Sequence, residues 1–327
     1  MTILVTGATG FLGSALTTEL VKQKQTVRIL ARDEQKARAQ FGDAVMIMRG
    51  EITDVEQVQR AVDGATTIYH LVGRLYHPNM PAESYHSTHV EGTRILLDAC
   101  KGQKQLQRIV HCSTTGVYGV TGKTPAAEDA PFAPTNPYEA TKLQGELLAL
   151  KAYKEDGLPV SVVRPGLVYG PGDLHLHGLF SSIKKGVFRV IDGGKALLHP
   201  LYIDDMTKAF LLCAGRPEAI GKSYNIAGAH PVTIRELSTA IAHSMDRELP
   251  KGSIPFWLAN LASDIFSVIP GIKRENAPLT RSRVQFLTHS RVYDISRAKT
   301  ELDFDPRIGL EAGMNNTTEW YHKHGYL

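Results

Sequence analysis

Apolar residues in the first half of the chain fall into short runs separated by polar stretches of helical period. The runs 2–6, 26–31, 44–49, 66–72, 107–113 and 160–164 are β-prone and lack strict alternation, the pattern of strands buried on both faces. Between them apolar positions recur at spacings of three and four, as in Phe11, Leu12, Ala15, Leu16 and Leu20. These stretches predict helices near 11–24, 33–40, 54–63, 84–101 and 136–155. Alternating strands and helices predict an α/β fold, a doubly wound parallel sheet with right-handed crossovers. In such a sheet ligands bind beyond the carboxyl ends of the strands.

Past residue 165 the regularity breaks, and Gly and Pro become frequent between Pro165 and Pro200. Helices are predicted near 204–214, 233–245, 254–268 and 309–325, with a strand near 222–226. The division expected is a dinucleotide-binding Rossmann domain over 1–165 and a smaller substrate lobe over 166–327, some of whose segments return to the sheet.

Composition narrows the classes. The 327 residues are 43% apolar and 21% charged, ordinary for a soluble globular protein. The net charge of +4 is spread out, with no basic run interleaved with aromatics, so nucleic acid is not indicated. Cys100, Cys112 and Cys213 lie far apart, as expected of reduced thiols. Met1 leads directly into the first strand and no apolar run reaches about 18 residues, so neither a signal peptide nor a spanning helix is expected, and the location expected is cytoplasmic. The pairs His175/His177 and His322/His324 lack spaced acidic or cysteine partners, and no metal is expected.

Four segments carry chemistry. Gly7-Ala8-Thr9-Gly10-Phe11-Leu12-Gly13 follows the first strand and opens the first helix. Its G-x-x-G-x-x-G spacing differs from the commoner G-x-G-x-x-G but keeps the same parts: a tight turn, a backbone approach to pyrophosphate and a close helix–strand contact. The helix N-terminus adds free N–H groups. Arg32 follows the second strand, where an arginine suits the 2′-phosphate of NADP and an acid would suit NAD; Asp33 comes directly after it. NADP is therefore expected, with NAD the alternative. Ser113 and Thr114 end the fifth strand, where a hydroxyl can orient a substrate oxygen, Thr114 being the stronger candidate. Tyr138 and Lys142 stand at i and i+4, on one face of a helix that Pro137 opens. A free phenol has a pKa of about 10, and a neighbouring ammonium together with the positive nicotinamide ring of the oxidised cofactor is expected to lower it toward proton transfer at neutral pH.

On these residues the chain resembles the extended short-chain dehydrogenase/reductase family. Further marks are Val117-Tyr118-Gly119, Arg164 through Pro171, and Tyr202-Ile203-Asp204-Asp205. The resemblance implies that Thr114, Tyr138 and Lys142 are the catalytic hydroxyl, the acid/base and the ribose-binding lysine. It also implies that Glu51 and Ile52 flank adenine, that Leu71, Val72 and Gly73 line the cofactor, and that Pro165 and Val168 lie near the nicotinamide carboxamide. Thr114 replaces the family's commoner serine, and His70-Leu71-Val72-Gly73 stands where His-Leu-Ala-Ala is usual.

Nucleotide-sugar members of that family usually carry asparagine within R-x-x-N-x-Y-G-P, where this chain has Leu167. Together with Pro278-Leu279-Thr280-Arg281, Tyr293 through Lys299 and Trp320-Tyr321, this looks more like the 3β-hydroxysteroid dehydrogenase and dihydroflavonol reductase branches. The function expected is an NADP(H)-dependent oxidoreductase interconverting a secondary alcohol and a ketone on an apolar small molecule. The alternative is a nucleotide-sugar epimerase or dehydratase with retained cofactor, for which Lys184, Lys185 and Arg189 are the nearest candidates to meet a second diphosphate. The apolar segment 254–269, flanked by Lys251 and Lys273-Arg274, reads as a lid, as a peripheral membrane contact or as a helix packed on the substrate lobe. A homodimer is left open.

Overall fold

The computed structural model describes residues 1–77, 79–268 and 279–327. The first half builds β1 (Thr2–Thr6), α1 (Phe11–Lys22), β2 (Thr26–Ala31), α2 (Glu34–Phe41), β3 (Met46–Arg49), α3 (Val55–Val62) and β4 (Ala65–His70). It continues with α4 (Ala82–His86), α5 (Gly92–Cys100), β5 (Arg108–Cys112), α6 (Pro137–Asp156) and β6 (Val160–Pro165). The chain then makes β7 (Leu167–Tyr169), α7 (His177–Lys184), β8 (Val190–Ile191), β9 (Leu197–Leu198), β10 (Pro200–Tyr202) and α8 (Ile203–Gly215). It returns to the main sheet as β11 (Ser223–Ile226) before β12 (Val232–Thr233), α9 (Ile234–His243), β13 (Ser253–Ile254) and α10 (Phe256–Val268). The end is α11 (Arg281–Thr288), α12 (Ser296–Leu302) and α13 (Leu310–Lys323).

The main sheet has seven strands in the order β11-β6-β5-β4-β1-β2-β3, and every pairing in it is parallel. Strand order reverses between β1 and β4, and that switch point is where a crevice opens at the carboxyl ends. One face packs Leu16 and Leu20 of α1 against Met206, Phe210 and Cys213 of α8. The other packs Val58 and Ala61 of α3 with Leu96 of α5 and Ala149 of α6. A separate cluster, including Phe180, Ile183, Leu237, Ile241, Met314 and Tyr321, forms the core beside β7–β10.

Three differences from the sequence pattern have local causes. The helix expected over 84–101 is interrupted by a π turn at Ser87–Glu91, which keeps the apolar period while shifting the facing residues. Helices α7, α11 and α12 are eight, eight and seven residues long, too short for periodicity to distinguish from loop. The helix in the 254–268 segment packs through Ala259 and Ser263, while Trp257, Leu258, Leu261 and Ile265 stay exposed. Ile269, Lys273-Arg274 and Pro278 lie outside the described residues. Among the described residues no helix is long and apolar enough to cross a membrane.

Candidate active site

The glycine turn is built by sterics. Gly7 has φ +76°, and a Cβ there would lie 2.7 Å from the backbone of Leu71 and Val72. A Cβ at Gly13 would lie 2.1 Å from the carbonyl oxygen of Gly7, so α1 crosses β1 only with glycine at that position. Gly10 caps α1 without any side-chain bond, and Gly10 N–H donates to Gly7 O at 3.0 Å. The first-turn N–H groups of α1 are thus left for an anion beside Thr9, Gly10, Phe11 and Leu12. Phe11 reaches Gly172, and Leu12 packs against both the sheet core and the second core. Opposite, Leu71 N–H donates to Thr6 O at 3.1 Å and brings Leu71, Val72 and Gly73 alongside the turn.

Arg32 leaves β2 exposed, and Asp33 is engaged as the N-cap of α2, accepting from Lys36 N–H at 2.9 Å. The cap uses one oxygen of the Asp33 carboxylate. Arg32 lines a cleft of about 410 Å³ with Arg49, Gly50, Glu51 and Gln57. Ile52 does not share it: its side chain is buried and meets Gly92 of α5 closely.

Asn136 caps α6, accepting from Glu139 N–H at 3.0 Å, and Pro137 occupies the first turn. This fixes the helix that carries Tyr138 and Lys142. Tyr138 stands in the first turn of α6 close to Thr114, whose Oγ1 accepts from Gly116 N–H at 3.0 Å. Lys142 is buried and its Nζ donates to Cys112 O at the end of β5. Thr114, Tyr138 and Lys142 are thus brought together where β5 meets α6. Pro165 ends the adjacent β6 and accepts from Thr115 Oγ1 at 3.0 Å, and Val168 follows on β7.

Two expectations need correction. Ser113 does not face the site: it is buried and its Oγ donates to Glu146 Oε2 at 2.6 Å. Nor does Lys142 depress the Tyr138 pKa in the protein alone. Burial, then Cys112, pushes the phenol above its ordinary value, while the Thr114 hydrogen bond works the other way. Burial likewise lowers the Lys142 pKa. Desolvation is the largest cause of both shifts.

The sequence pattern missed the support beneath these groups. His89, in the π turn, accepts Arg74 N–H on Nε2 at 2.9 Å, so its proton sits on Nδ1 and is donated to Thr141 Oγ1 at 2.9 Å. Its ring meets Tyr138 edge-on at 5.6 Å. The same imidazole thus ties the loop after Gly73 to the first turn of α6. His70 spans Thr6 and Thr93; Thr93 Oγ1 already donates to His89 O, so His70 carries its proton on Nε2. Burial first, then the Lys142 charge, holds both His70 and His89 down to about 3. Both remain neutral at physiological pH. Beneath α6, fully buried Glu146 accepts from Arg164 Nε at 3.0 Å, and Arg164 lies 5.2 Å from the ring centres of both Tyr118 and Phe132. Among the described residues no group of three or more His, Cys, Asp or Glu side chains is placed to hold a metal ion.

A glycine cradle that any Cβ would fill, an uncapped helix start at a switch point, and a Thr-Tyr-Lys set at the neighbouring strand end fit a nicotinamide dinucleotide. Comparison with known proteins agrees with that class. Residues 3–227 match the model of the NAD dependent epimerase/dehydratase family, and the chain belongs to that family, within the extended short-chain dehydrogenase/reductases. The 3beta-hydroxysteroid-dehydrogenase/decarboxylase isoform 2 of Arabidopsis thaliana is 27% identical over 97% of this chain, which spans only 61% of that longer protein. A 4-hydroxy-2-methyl-3-oxo-4-farnesyl-3,4-dihydroquinoline-1-oxide ketoreductase of Stigmatella aurantiaca is 27% identical, covering 96% of this chain and 95% of its own. In fold, a UDP-glucuronic acid 4-epimerase of Bacillus cereus solved with NAD superposes with a TM-score of 0.80 at 22% identity, over 99% of this chain and 100% of its own.

Proposed function

We propose that this protein is an NADP(H)-dependent reductase or dehydrogenase that interconverts a ketone and a secondary alcohol on an apolar substrate. The observation that carries the reading is geometric: Tyr138 and buried Lys142 stand one turn apart on α6, and Lys142 Nζ donates to Cys112 O, two residues before Thr114. When bound, the nicotinamide supplies or accepts the hydride. Thr114 and Tyr138 would hold the substrate oxygen between two hydroxyls, and Tyr138 would give it the proton that turns ketone oxygen into alcohol. Lys142 would hold ribose hydroxyls, and the positive nicotinamide ring of the oxidised cofactor would favour the phenolate left behind.

The preference for NADP(H) is supported by Arg32 lying on the cleft wall while Asp33 is engaged in capping. The apolar substrate is supported by the residues of the second lobe. Leu167 stands where nucleotide-sugar members carry asparagine. Arg189 donates to Gly186 O and Phe188 O of its own turn, and so is occupied locally. The apolar relatives point the same way: one is named a hydroxysteroid dehydrogenase and one a farnesyl-quinoline ketoreductase.

A panel of steroids, flavonoids and 3-ketoacyl compounds tests this with NADPH and NADH. Oxidation of NADPH with at least one carbonyl, faster than of NADH, is expected. Faster reaction with NADH throughout would overturn the cofactor assignment, and silence of the whole panel would overturn the substrate class.

A further inference from the structure

We propose that Arg49 is a second arginine for the cofactor's 2′-phosphate, so that an adenosine 2′-phosphate is gripped from two strands at once. The inference rests on the NADP(H) reading above and extends it to a residue on a different strand. The β2–β3 register pairs Ala31 with Arg49, so Arg32 leaves β2 one residue past the point where Arg49 ends β3. Both then line the same cleft of about 410 Å³. Gly50 and Gln57 complete the wall: Gln57 Oε1 accepts Glu51 N–H at 2.8 Å and fixes the turn that follows Arg49.

Neighbouring arginines have partners in this chain. Arg28 donates to Ala61 O at 2.8 Å and to Asp63 O, and Arg38 pairs with Glu34 and Asp43. Among the described residues Arg32 and Arg49 have no ion pair, with each other's cleft neighbour Glu51 or with any other acid. Two arginines and one glutamate lining one cleft leave it with a net positive charge, which draws an anion. A phosphate dianion matches that need, and guanidinium forks match phosphate oxygens in geometry. Two exposed cations bound to one dianion also act jointly, so removing either one weakens the hold of the other.

Calorimetry separates this inference from the reading it rests on. Adenosine 2′,5′-bisphosphate and 5′-AMP differ only in the 2′-phosphate, and they are titrated alongside NADP+ and NAD+ into wild type, Arg32→Ala, Arg49→Ala, Arg49→Lys and the double variant. Arg49 is exposed, so its variants are expected to keep the wild-type melting temperature. Arg49→Ala should weaken NADP+ and the bisphosphate by about tenfold, the lower end of a charged hydrogen bond, and leave NAD+ and 5′-AMP within about twofold. Arg49→Lys should fall between, because it keeps the charge and loses the fork. In the Arg32→Ala background the further loss from Arg49→Ala should differ from its loss alone. If wild type binds 5′-AMP as tightly as the bisphosphate, the NADP(H) reading itself fails. If wild type prefers the bisphosphate and Arg49→Ala does not change that preference, Arg49 is no phosphate ligand and the reading survives without it. Equal weakening of all four compounds would also overturn the inference.

Discussion

Replacing Glu146 by Gln tests whether the buried ion pair beneath α6 holds the site in place. Glu146 is fully buried and accepts from Arg164 Nε at 3.0 and 3.2 Å, from Arg164 Nη2 and from Ser113 Oγ at 2.6 Å. Gln keeps the shape but leaves the Arg164 guanidinium uncompensated in the interior, which costs about 3–5 kcal/mol. An unfolding entropy of about 2.1 cal/mol/K per residue over 327 residues gives roughly 0.7 kcal/mol per degree, hence a fall in Tm of about 4–7 °C. Glu146 also raises the pKa of Lys142 one turn away, so its neutralisation should push that ammonium further down. Differential scanning calorimetry reads the Tm. The double variant Glu146→Met with Arg164→Met is the control, because removing both charges should restore much of the loss. A Glu146→Gln protein melting within about 1 °C of wild type, or a double variant worse than the sum of the singles, would refute the reasoning.

Other outcomes follow from the same geometry. Tyr138→Phe should lower kcat by roughly 10²–10⁴ while cofactor Kd stays within about twofold, measured by stopped-flow turnover and fluorescence titration; substantial residual turnover would remove the phenol from the chemistry. Gly13→Ala should abolish measurable dinucleotide binding, because its Cβ would lie 2.1 Å from Gly7 O; unaltered affinity would mean the turn is not the pyrophosphate site. Stability should fall as pH drops from 7 to 5. His70 and His89 sit near 3 in the folded chain against 6.5 when unfolded, so the unfolded state binds more protons across that window. Stability is full above 6.5 and is lost below it, by about 1–2 kcal/mol per histidine at pH 5. A Tm independent of pH between 7 and 5 would contradict the buried neutral assignment.

The order of strands and helices through β6 was legible because β1, β4, β5 and β6 are buried along most of their length and α1 and α6 are long enough to show their period, with the shorter helices placed by the alternation between strands. The glycine turn was legible because Gly7 and Gly13 are positions where no Cβ fits. Tyr138 and Lys142 could be paired because i,i+4 spacing fixes a shared face on any helix. Resemblance favours Thr114 over Ser113, but what removes Ser113 from the site, its bond to Glu146, depends on α6 some thirty residues on and leaves no local signal. His89 and Arg49 were illegible for the same reason. Each acts across elements, His89 through a π turn that no periodicity reveals and Arg49 through the β2–β3 register.

The most direct test is the mass balance of one turnover. Purified protein is incubated with NADPH and an apolar ketone from the panel, and NADPH loss is compared with alcohol formed by mass spectrometry. The account predicts one NADPH oxidised for each alcohol produced, with both lost together in Tyr138→Phe. Conversion of a UDP- or dTDP-sugar with no net change in cofactor would contradict it and assign the same Thr114, Tyr138 and Lys142 to an epimerase or dehydratase.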